Sequence, residues 1–231
     1  VVTAGCSMTS PAADEARASQ QTTTAGPSNP GQTAPVQAML PDGYDGQQGV
    51  TNVTAAYRTH VATLENGSYQ LQYRTNRSDN QVVTFVNASG SERTWNMTIF
   101  DGLDGTKTTI YQDENTRYTR TVYANGTTRS DVTNVTYSHP DAVVADHSVR
   151  SLLGELRLGT ARSMPNTTFV FYPIEAIGNT TVTEGHFMVM PSGQVRVVFL
   201  ETDAARVVYT SRVVSEDPVS EPGWVSNESA S

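Results

Sequence analysis

Four histidines are the residues of this 231-residue sequence best suited to acid–base or metal chemistry, and two of them fall in one short segment. In that segment, His139-Pro140-Asp141 is followed closely by Asp146-His147. Imidazole and carboxylate groups are common zinc ligands, so the two motifs together could bind a metal. On a helix, however, Asp141 and His147 are six positions apart and point in different directions. We therefore predict a helix start with solvated acidic side chains here, and no metal site.

The remaining candidates for chemistry have structural explanations that need no ligand. His60 lies on the apolar stripe of a predicted helix, where a histidine is usually partly buried and hydrogen-bonded. Lys107 lies near a turn, as a solvated cation would. Asp101 and Asp104 resemble part of a calcium-binding loop, but the later ligands of such a loop do not follow. The sequence also lacks a phosphate-binding loop, a serine nucleophile motif and a zinc-protease motif, so we predict neither an enzyme nor a bound cofactor.

The balance of charged side chains excludes one class of partner. The 15 lysine and arginine residues stand against 23 aspartate and glutamate residues, which gives a net charge of −8. Because nucleic acids are bound chiefly by basic side chains that neutralise phosphates, we predict no nucleic-acid partner. Lys107 is the only lysine, and a surface rich in acids and arginine is consistent with a protein kept soluble in high salt.

The first residues indicate export and attachment to a membrane. Val1-Val2-Thr3-Ala4-Gly5-Cys6 resembles the processed end of a lipoprotein signal, with small residues before a cysteine. We predict that residues 1–5 are a signal-peptide remnant, that Cys6 carries a lipid, and that residues 6–45 form a flexible tether rich in Thr, Ser and Pro. We expect this lipid to anchor the protein to the extracellular side of the membrane. The sequence does not identify a protein partner.

Ten of the 13 asparagines lie in Asn-x-Ser/Thr triplets, which accept N-linked glycans in exported proteins. A threonine-rich sequence produces some of these triplets without any function, but their number agrees with an extracellular location. Asn96 alternates with Trp95 and Met97, which places it on the solvated face of a strand. The candidate glycosylation sites are Asn52, Asn66, Asn76, Asn87, Asn96, Asn125, Asn134, Asn166, Asn179 and Asn227.

Two helices are expected to interrupt a series of strands. Apolar residues recur at helical spacing over residues 53–64, with Thr51 as the N-cap. A second apolar stripe, over residues 142–156, follows Ser138 as its cap. Elsewhere the side chains alternate with a period of two, in about nine or ten strands connected mainly as hairpins.

The fold class that these elements predict is α+β, a curved antiparallel sheet (half-barrel) with both helices packed on it. It occupies residues 46–225 as a single domain, and residues 226–231 form a flexible C-terminus. The late strands are apolar on both faces, so we expect both faces to be buried. One face packs against a helix, and the other is buried either by ordinary core packing or by a bound apolar ligand. The candidate lining of such a ligand site comes from the middle and late strands and consists of Trp95, Met97, Ile99, Phe169, Phe171, Phe187, Met188 and Met190.

Four features occur together in this chain: the Thr-Ala-Gly-Cys start, the polar tether, Ala55-Tyr57-Arg58-Thr59-His60 leading through Asn66-Gly67-Ser68-Tyr69 into a strand, and the ending Glu221-Pro222-Gly223-Trp224. Their combination resembles a family of haloarchaeal surface lipoproteins of unknown function. At fold level that family is similar to periplasmic lipoprotein carriers and mycobacterial lipid-binding lipoproteins, in which a curved sheet surrounds an apolar cavity. The resemblance implies a lipid-anchored extracellular domain that binds a lipid or other apolar ligand. A structural or interaction module of the cell envelope, with a packed core, is the alternative.

Overall fold

The structure is a computed structural model that describes residues 36–143, 148–163, 167–216 and 218–228. Within these residues there are three α-helices, α1 (Val53–Glu65), α2 (Val149–Glu155) and α3 (Gly223–Glu228), and none is long and apolar enough to cross a membrane. The strands of the same part of the chain are β1 (Tyr44–Asp45), β2 (Gly49–Val50), β3 (Ser68–Arg77), β4 (Gln81–Ser89), β5 (Thr94–Asp101), β6 (Thr106–Gln112), β7 (Thr116–Val122), β8 (Thr128–Asn134), β9 (Leu156–Leu158), β10 (Arg162–Ser163), β11 (Val170–Ile177), β12 (Thr180–Thr181), β13 (Glu184–Val189), β14 (Val195–Glu201) and β15 (Ala205–Val214).

Thirteen of these strands form one antiparallel sheet, and β1 pairs with β2 in a separate hairpin. In space the order of the large sheet is β10-β11-β13-β14-β15-β3-β4-β5-β6-β7-β8, with β9 and β12 also paired to β11. Two runs of strands, β3 to β8 and β9 to β15, therefore make up the sheet, and the β3–β15 pair joins them. Among the described residues the outermost strands β8 and β10 do not pair with each other, so the sheet is not closed into a barrel.

The prediction of an antiparallel sheet with a few helices is confirmed, but the predicted count of nine or ten strands is too low for this 13-stranded sheet. The ten longer strands, which are β3 to β8, β11, β13, β14 and β15, correspond to the segments of alternating side chains. The strands missed in the large sheet are β9, β10 and β12, and each has only two or three residues. Segments of that length contain too few positions for an alternation to be recognised.

Helix α1 matches its prediction except for one residue at its start. Asn52, not Thr51, is the N-cap, because its side-chain oxygen accepts a hydrogen bond from the N–H of Ala55 at 3.0 Å. Asparagine and threonine both cap well, so the sequence leaves the choice between these neighbours open. His60 and Leu64 lie on the buried stripe of the helix, as the helical spacing requires.

The second helix is shorter than predicted and has a different cap. Helix α2 begins at Val149, and the hydroxyl of Ser148 accepts a hydrogen bond from the N–H of Ser151 at 3.1 Å. The predicted cap, Ser138, has another role: its carbonyl oxygen accepts the indole N–H of Trp95 at 3.0 Å. Serine is a good N-cap at either position, and the sequence pattern alone does not distinguish the two.

The two faces of the large sheet differ in what covers them. One, the core face, packs against α1 and carries most of the buried side chains, and the other, the open face, lies opposite that helix. Because side chains alternate along a strand, each strand contributes to both faces. In β3, for example, Tyr69, Leu71 and Tyr73 are buried on the core face, while Gln70 and Gln72 lie on the open face.

The packed region extends beyond the predicted domain limits of residues 46 and 225. Tyr44, which is 6% exposed, contacts the rings of Tyr172 and Phe187 at centroid distances of 6.5 and 5.9 Å. At the other end, helix α3 continues to Glu228, and Val225 within it is buried. The apolar residues before position 46 therefore belong to the core, and the folded part of the chain begins no later than Tyr44.

Candidate functional site

The eight residues predicted to line an apolar ligand site do not come together in one cavity. Four of them belong to the core face or pack against it, namely Trp95, Met97, Ile99 and Phe187. Phe171 and Met188 are cross-strand neighbours on the open face. Phe169 and Met190 lie just outside the strands β11 and β13. The division follows from the pleat of the strands, since consecutive residues point to opposite faces.

The apolar residues on the open face of the late strands cover one another. The ring of His186 stacks on Phe171 and on Phe199, at centroid distances of 5.7 and 5.2 Å. The guanidinium of Arg206 lies 5.0 Å from the centre of the Phe199 ring, in a cation–π contact. These contacts explain how the late strands are apolar on both sides although no second layer of described residues covers their open face.

His60 is fully buried between α1 and the sheet, which is more than the partial burial predicted, and both of its ring nitrogens are hydrogen-bonded, as predicted. Its Nδ1 accepts the backbone N–H of Val195 at 3.0 Å, so the proton of the neutral ring is on Nε2. That Nε2–H donates to the hydroxyl of Tyr209 at 3.0 Å. Burial, and then the neighbouring His139, lower the pKa of His60 to about 3, so the ring stays neutral near pH 7. His60 therefore ties α1 to strands β14 and β15.

His139 and Asp141 are also buried, so the prediction of a solvated acid is wrong for Asp141. Asp141 is 3% exposed, and its Oδ1 accepts the N–H of Val149 at the start of α2. The N–H of Asp141 donates to His139 Nδ1 at 3.2 Å, and the ring of His139 stacks on Tyr69 at 5.6 Å. The reason is the 3-10 turn at Pro140, which places Asp141 under α2 instead of on the surface of a longer helix.

Burial also controls protonation in this segment. It lowers the pKa of His139 to about 4 and raises the pKa of Asp141 to about 6. Groups so enclosed do not reach a substrate in solution, and their bonds hold α2 and the 3-10 turn against the sheet. Asp146 and His147, the other half of the predicted cluster, lie outside the described residues. Within the described ranges, no three His, Cys, Asp or Glu side chains group as metal ligands would.

The segment from Asp101 to Asp104 forms the predicted turn. One carboxylate oxygen of Asp101 accepts the N–H of Leu103 at 3.0 Å and that of Asp104 at 3.4 Å. Lys107 is exposed, and its Nζ lies 5.4 Å from the centre of the Phe100 ring. These contacts are those of a tight turn and of a surface cation on the strand that follows it.

The predicted modification sites fall into three groups. Outside the described residues lie Cys6, Asn166 and the side chain of Asn227. Exposed at turns, helix ends or strand ends are Asn52, Asn66, Asn76, Asn125, Asn134 and Asn179. Half-buried in the middle of the sheet are Asn87 and Asn96, where Nδ2 of Asn87 donates to Oδ1 of Asn96 at 3.0 Å.

The open face contains a groove of about 720 Å³ that crosses four neighbouring strands, β14, β15, β3 and β4. None of the eight predicted lining residues contributes to it. Guanidinium groups, amides, a hydroxyl and apolar side chains meet there. We name it the arginine groove and define it by Arg196, Arg212, Gln70, Gln72, Asn87, Thr210, Phe85 and Val197.

A β-bulge in β14 supplies one of the two arginines of the groove. Strand β13 pairs with Val195 and Val197 but leaves Arg196, between them, without a partner. Nη1 of Arg196 donates to the carbonyl oxygen of Ser211 at 2.8 Å. The N–H of Val195, at the same bulge, donates to His60. Helix α1 and the arginine groove are therefore connected through two adjacent backbone positions.

The other arginine belongs to a line of side-chain hydrogen bonds across β15, β3, β4 and β5, which we name the amide ladder. Arg212 Nε donates to Gln70 Oε1 at 2.6 Å, and Gln70 Nε2 donates to Asn87 Oδ1 at 2.7 Å. The bond from Asn87 to Asn96 completes the line. These four residues are direct cross-strand neighbours, so the register of the sheet places them in one row.

Two further arginines extend the basic surface along the central strand pair. A smaller recess of about 190 Å³ on β3 and β15 is lined by Arg74, Asn76, Arg206 and Val208. Because an antiparallel strand rises about 3.4 Å per residue, Arg206 and Arg212 are about 20 Å apart along β15. The positive groups therefore follow the central strands over an extended distance.

The arginines of the groove and the recess lack carboxylate partners among the described residues. In that part of the chain, ion pairs within 4.0 Å occur at two other places, between Arg93 and Glu114 and between Arg157 and Glu175. Within the described ranges, no acidic residue lines the groove or the recess. Glu201 lies opposite Arg206 in the strand register, and Glu216 shares another recess with Arg212. A chain with a net charge of −8 thus places positive groups together on one face, which suits an anionic ligand.

Sequence reasoning missed the arginine groove, although part of the signal was present. Gln70, Gln72 and Arg74 alternate with buried residues, as do Arg206 and Arg212. This alternation places each set on the polar face of its own strand. The groove exists because β3 pairs with β15, and that pairing joins segments far apart in the sequence, which no local pattern reveals.

Comparison with known proteins adds distant structural likeness and no family. No protein-family model matches the sequence, and no curated protein matches it. Among solved structures, the chain is similar to an uncharacterized conserved protein from Thermus thermophilus, at 8% sequence identity and a TM-score of 0.38, over 74% of this chain and 94% of that one. The function of this chain is therefore inferred from its own groups.

Proposed function

We propose that the chain is a non-enzymatic binding domain that holds an anionic ligand in the arginine groove. The observation that carries the proposal is a set of arginines on neighbouring strands, with no acidic residue among the described lining residues, in a protein of net charge −8. A guanidinium presents its donors in a planar fork that matches a carboxylate, sulfate or phosphate group. Such hydrogen bonds act at short range, so they persist where salt screens long-range attraction.

A lipid on Cys6 tethers this domain to the extracellular face of the cell membrane in the same proposal. The Thr-Ala-Gly-Cys start, the Thr-, Ser- and Pro-rich residues that follow it and the ten glycosylation triplets support it. In this arrangement the chain is an interaction module of the cell envelope, and its motifs resemble those of the haloarchaeal surface lipoproteins. Replacing Cys6 by serine is expected to release the protein into the medium, and retention at the membrane would contradict the anchor.

An apolar ligand held inside a half-barrel is the second candidate function, and it follows from the same resemblance. Less supports it, because three of the eight candidate lining residues are fully covered by protein neighbours, namely Trp95, Met97 and Phe187. Solvent extraction of the purified domain, followed by mass spectrometry of the extract, compares the two. A lipid recovered at one molecule per chain would favour the apolar ligand.

Chromatography on a carboxylate-bearing cation exchanger at pH 7 tests the anionic ligand directly. A protein with a net charge of −8 is retained only if a local basic face contacts the matrix. We expect the wild-type domain to be retained, and the triple variant Arg74→Gln, Arg196→Gln, Arg206→Gln to pass through.

The matched control removes three exposed arginines that line neither the groove nor the recess, in the triple variant Arg58→Gln, Arg129→Gln, Arg150→Gln. Both triple variants change the net charge by the same amount, so only the position of the charge differs. Circular dichroism establishes that each variant is folded. Equal behaviour of the two variants, or no retention of the wild type, would overturn the proposal.

A further inference from the structure

The arginine groove presents other groups beside its positive charge, and they narrow the class of ligand. Gln72 and Thr210 carry groups that both donate and accept hydrogen bonds. Phe85 is 43% exposed, with its ring edge-on to Phe100 at 6.5 Å, so apolar ring surface is open to solvent. A ligand that uses all of these groups carries negative charge, hydroxyl groups and apolar C–H surface.

The ligand must also be extended. Four strands about 4.8 Å apart span about 14 Å across the groove, and the recess lined by Arg74 and Arg206 continues along β3 and β15. A single small anion meets only part of this surface. A linear polymer with repeated anionic groups contacts several guanidinium groups at once.

An acidic polypeptide and an acidic polysaccharide both meet these conditions, and the position of the groove favours the polysaccharide. An extended polypeptide is commonly held on a sheet through its main chain, at a free edge strand. The groove lies in the middle of the sheet, where β15 and β3 are paired on both sides. Sugar hydroxyls instead pair with side-chain amides and hydroxyls, which the groove provides.

We propose that the arginine groove binds a linear acidic polysaccharide that carries carboxylate groups, an inference that rests on the proposed anion-binding function. Carboxylates of the sugar chain pair with Arg196 in the groove and with Arg206 in the recess that continues from it. Ring hydroxyls bond to Gln72 and Thr210, and the C–H face of one sugar lies against Phe85.

Isothermal titration calorimetry with an oligogalacturonate as the probe tests this assignment. The matched probe is the same oligomer with methyl-esterified carboxyl groups, which keeps the rings and hydroxyls but lacks the charge. We expect the acid form to bind and the ester to bind at least about tenfold more weakly, because charge-assisted hydrogen bonds are the strong ones. Arg196→Gln should weaken binding of the acid form by about tenfold and Gln72→Ala by several-fold, whereas Arg58→Gln should bind as the wild type does.

Poly-glutamate is the competing probe, and it distinguishes binding of anions in general from binding of an acidic polysaccharide. If it binds as tightly as the oligogalacturonate, and Gln72→Ala leaves both affinities unchanged, the polysaccharide is excluded while anion binding stands. If neither polyanion binds, or if Arg196→Gln changes nothing, the anion-binding function fails as well. Preference for the oligogalacturonate, with losses in both Arg196→Gln and Gln72→Ala, supports the polysaccharide.

Discussion

The core face and the open face of the large sheet use polar side chains in opposite ways. On the core face, His60, Tyr209 and Asp141 are sealed from solvent and bonded to other parts of the protein. On the open face, Arg196 bonds to a backbone carbonyl and Arg206 lies over a ring, and no described carboxylate forms an ion pair with either. Burial and the kind of partner, more than residue type, therefore distinguish the groups that hold this protein together from those left for a ligand.

Truncation of a large side chain should have the greatest effect on stability, and this effect should be much larger on the core face than on the open face. Trp95 is fully buried on the core face, and its indole N–H donates to Ser138. Trp95→Ala is expected to lower the free energy of unfolding by about 3–5 kcal/mol, because it removes a large buried group and leaves a cavity. Phe85→Ala, on the open face, should cost about 1 kcal/mol yet weaken ligand binding. Urea unfolding followed by circular dichroism measures the free energy of unfolding of both variants. Equal losses of stability in the two would contradict the distinction between the core face and the open face.

The core face should also make the protein sensitive to acid. The pKa values of His60, about 3, and His139, about 4, lie below the unfolded value near 6.5, so only the unfolded chain takes up these protons as the pH falls. Asp141 acts in the opposite direction from about pH 6 down to about pH 4, since its carboxyl is protonated more readily in the folded state. Between about pH 6 and pH 4 the unfolded chain binds two protons on the histidines, and the folded chain binds one on the carboxyl. This difference of one proton lowers the stability by about 1.4 kcal/mol for each pH unit of acidification.

Asp141→Asn sharpens this test, because it removes the opposing carboxyl and keeps an oxygen that accepts the N–H of Val149. The loss of stability between about pH 6 and pH 4 should then steepen to about 2.7 kcal/mol per pH unit. Urea unfolding at a series of pH values gives the two slopes. Identical slopes in the variant and the wild type would mean that Asp141 stays ionised through this range.

A substitution of His60 should show that the core face supports the open face. His60→Phe leaves the N–H of Val195 and the hydroxyl of Tyr209 without their partner, at a cost of about 1–3 kcal/mol. It also loosens the bulge that carries Arg196, so binding of the oligogalacturonate should weaken as well. His60→Gln, which keeps an acceptor and a donor, is expected to recover part of both losses. Wild-type affinity in folded His60→Phe would show that the two faces are independent.

The smallest effects are expected at the glycosylation triplets. Asn125→Gln and Asn134→Gln, on exposed positions, should change stability by less than about 0.5 kcal/mol. Asn87→Ala breaks the amide ladder and should cost about 1 kcal/mol. Glycopeptide mass spectrometry should find Asn87 and Asn96 unmodified, because their amides are bonded to each other. A glycan on Asn87 would cover the arginine groove and would contradict its proposed role.

The ten longer strands and α1 could be predicted from the sequence, because each carries its own signal of alternation or helical spacing. Asp141 could not be placed, since Pro140 is compatible both with the first turn of a long helix and with the separate 3-10 turn that forms. The apolar residues of β13 could be recognised but not assigned to a face, because Phe187 and Met188 are adjacent and equally apolar. The arginine groove depends on the β3–β15 register, which is a property of the whole chain.

That central strand pair has a consequence for how the protein folds. Most strand pairs within each of the two runs are near neighbours in the sequence, whereas β3 and β15 come from opposite ends of the sheet-forming part of the chain. Contacts between distant segments close long loops and tend to form slowly. Gln70 and Phe85 reach the arginine groove from the first run, and Arg196 and Arg212 reach it from the second. The binding site is thus assembled at the docking of two half-sheets, and a ligand that bridges them slows their separation, so occupancy lengthens the lifetime of the folded state.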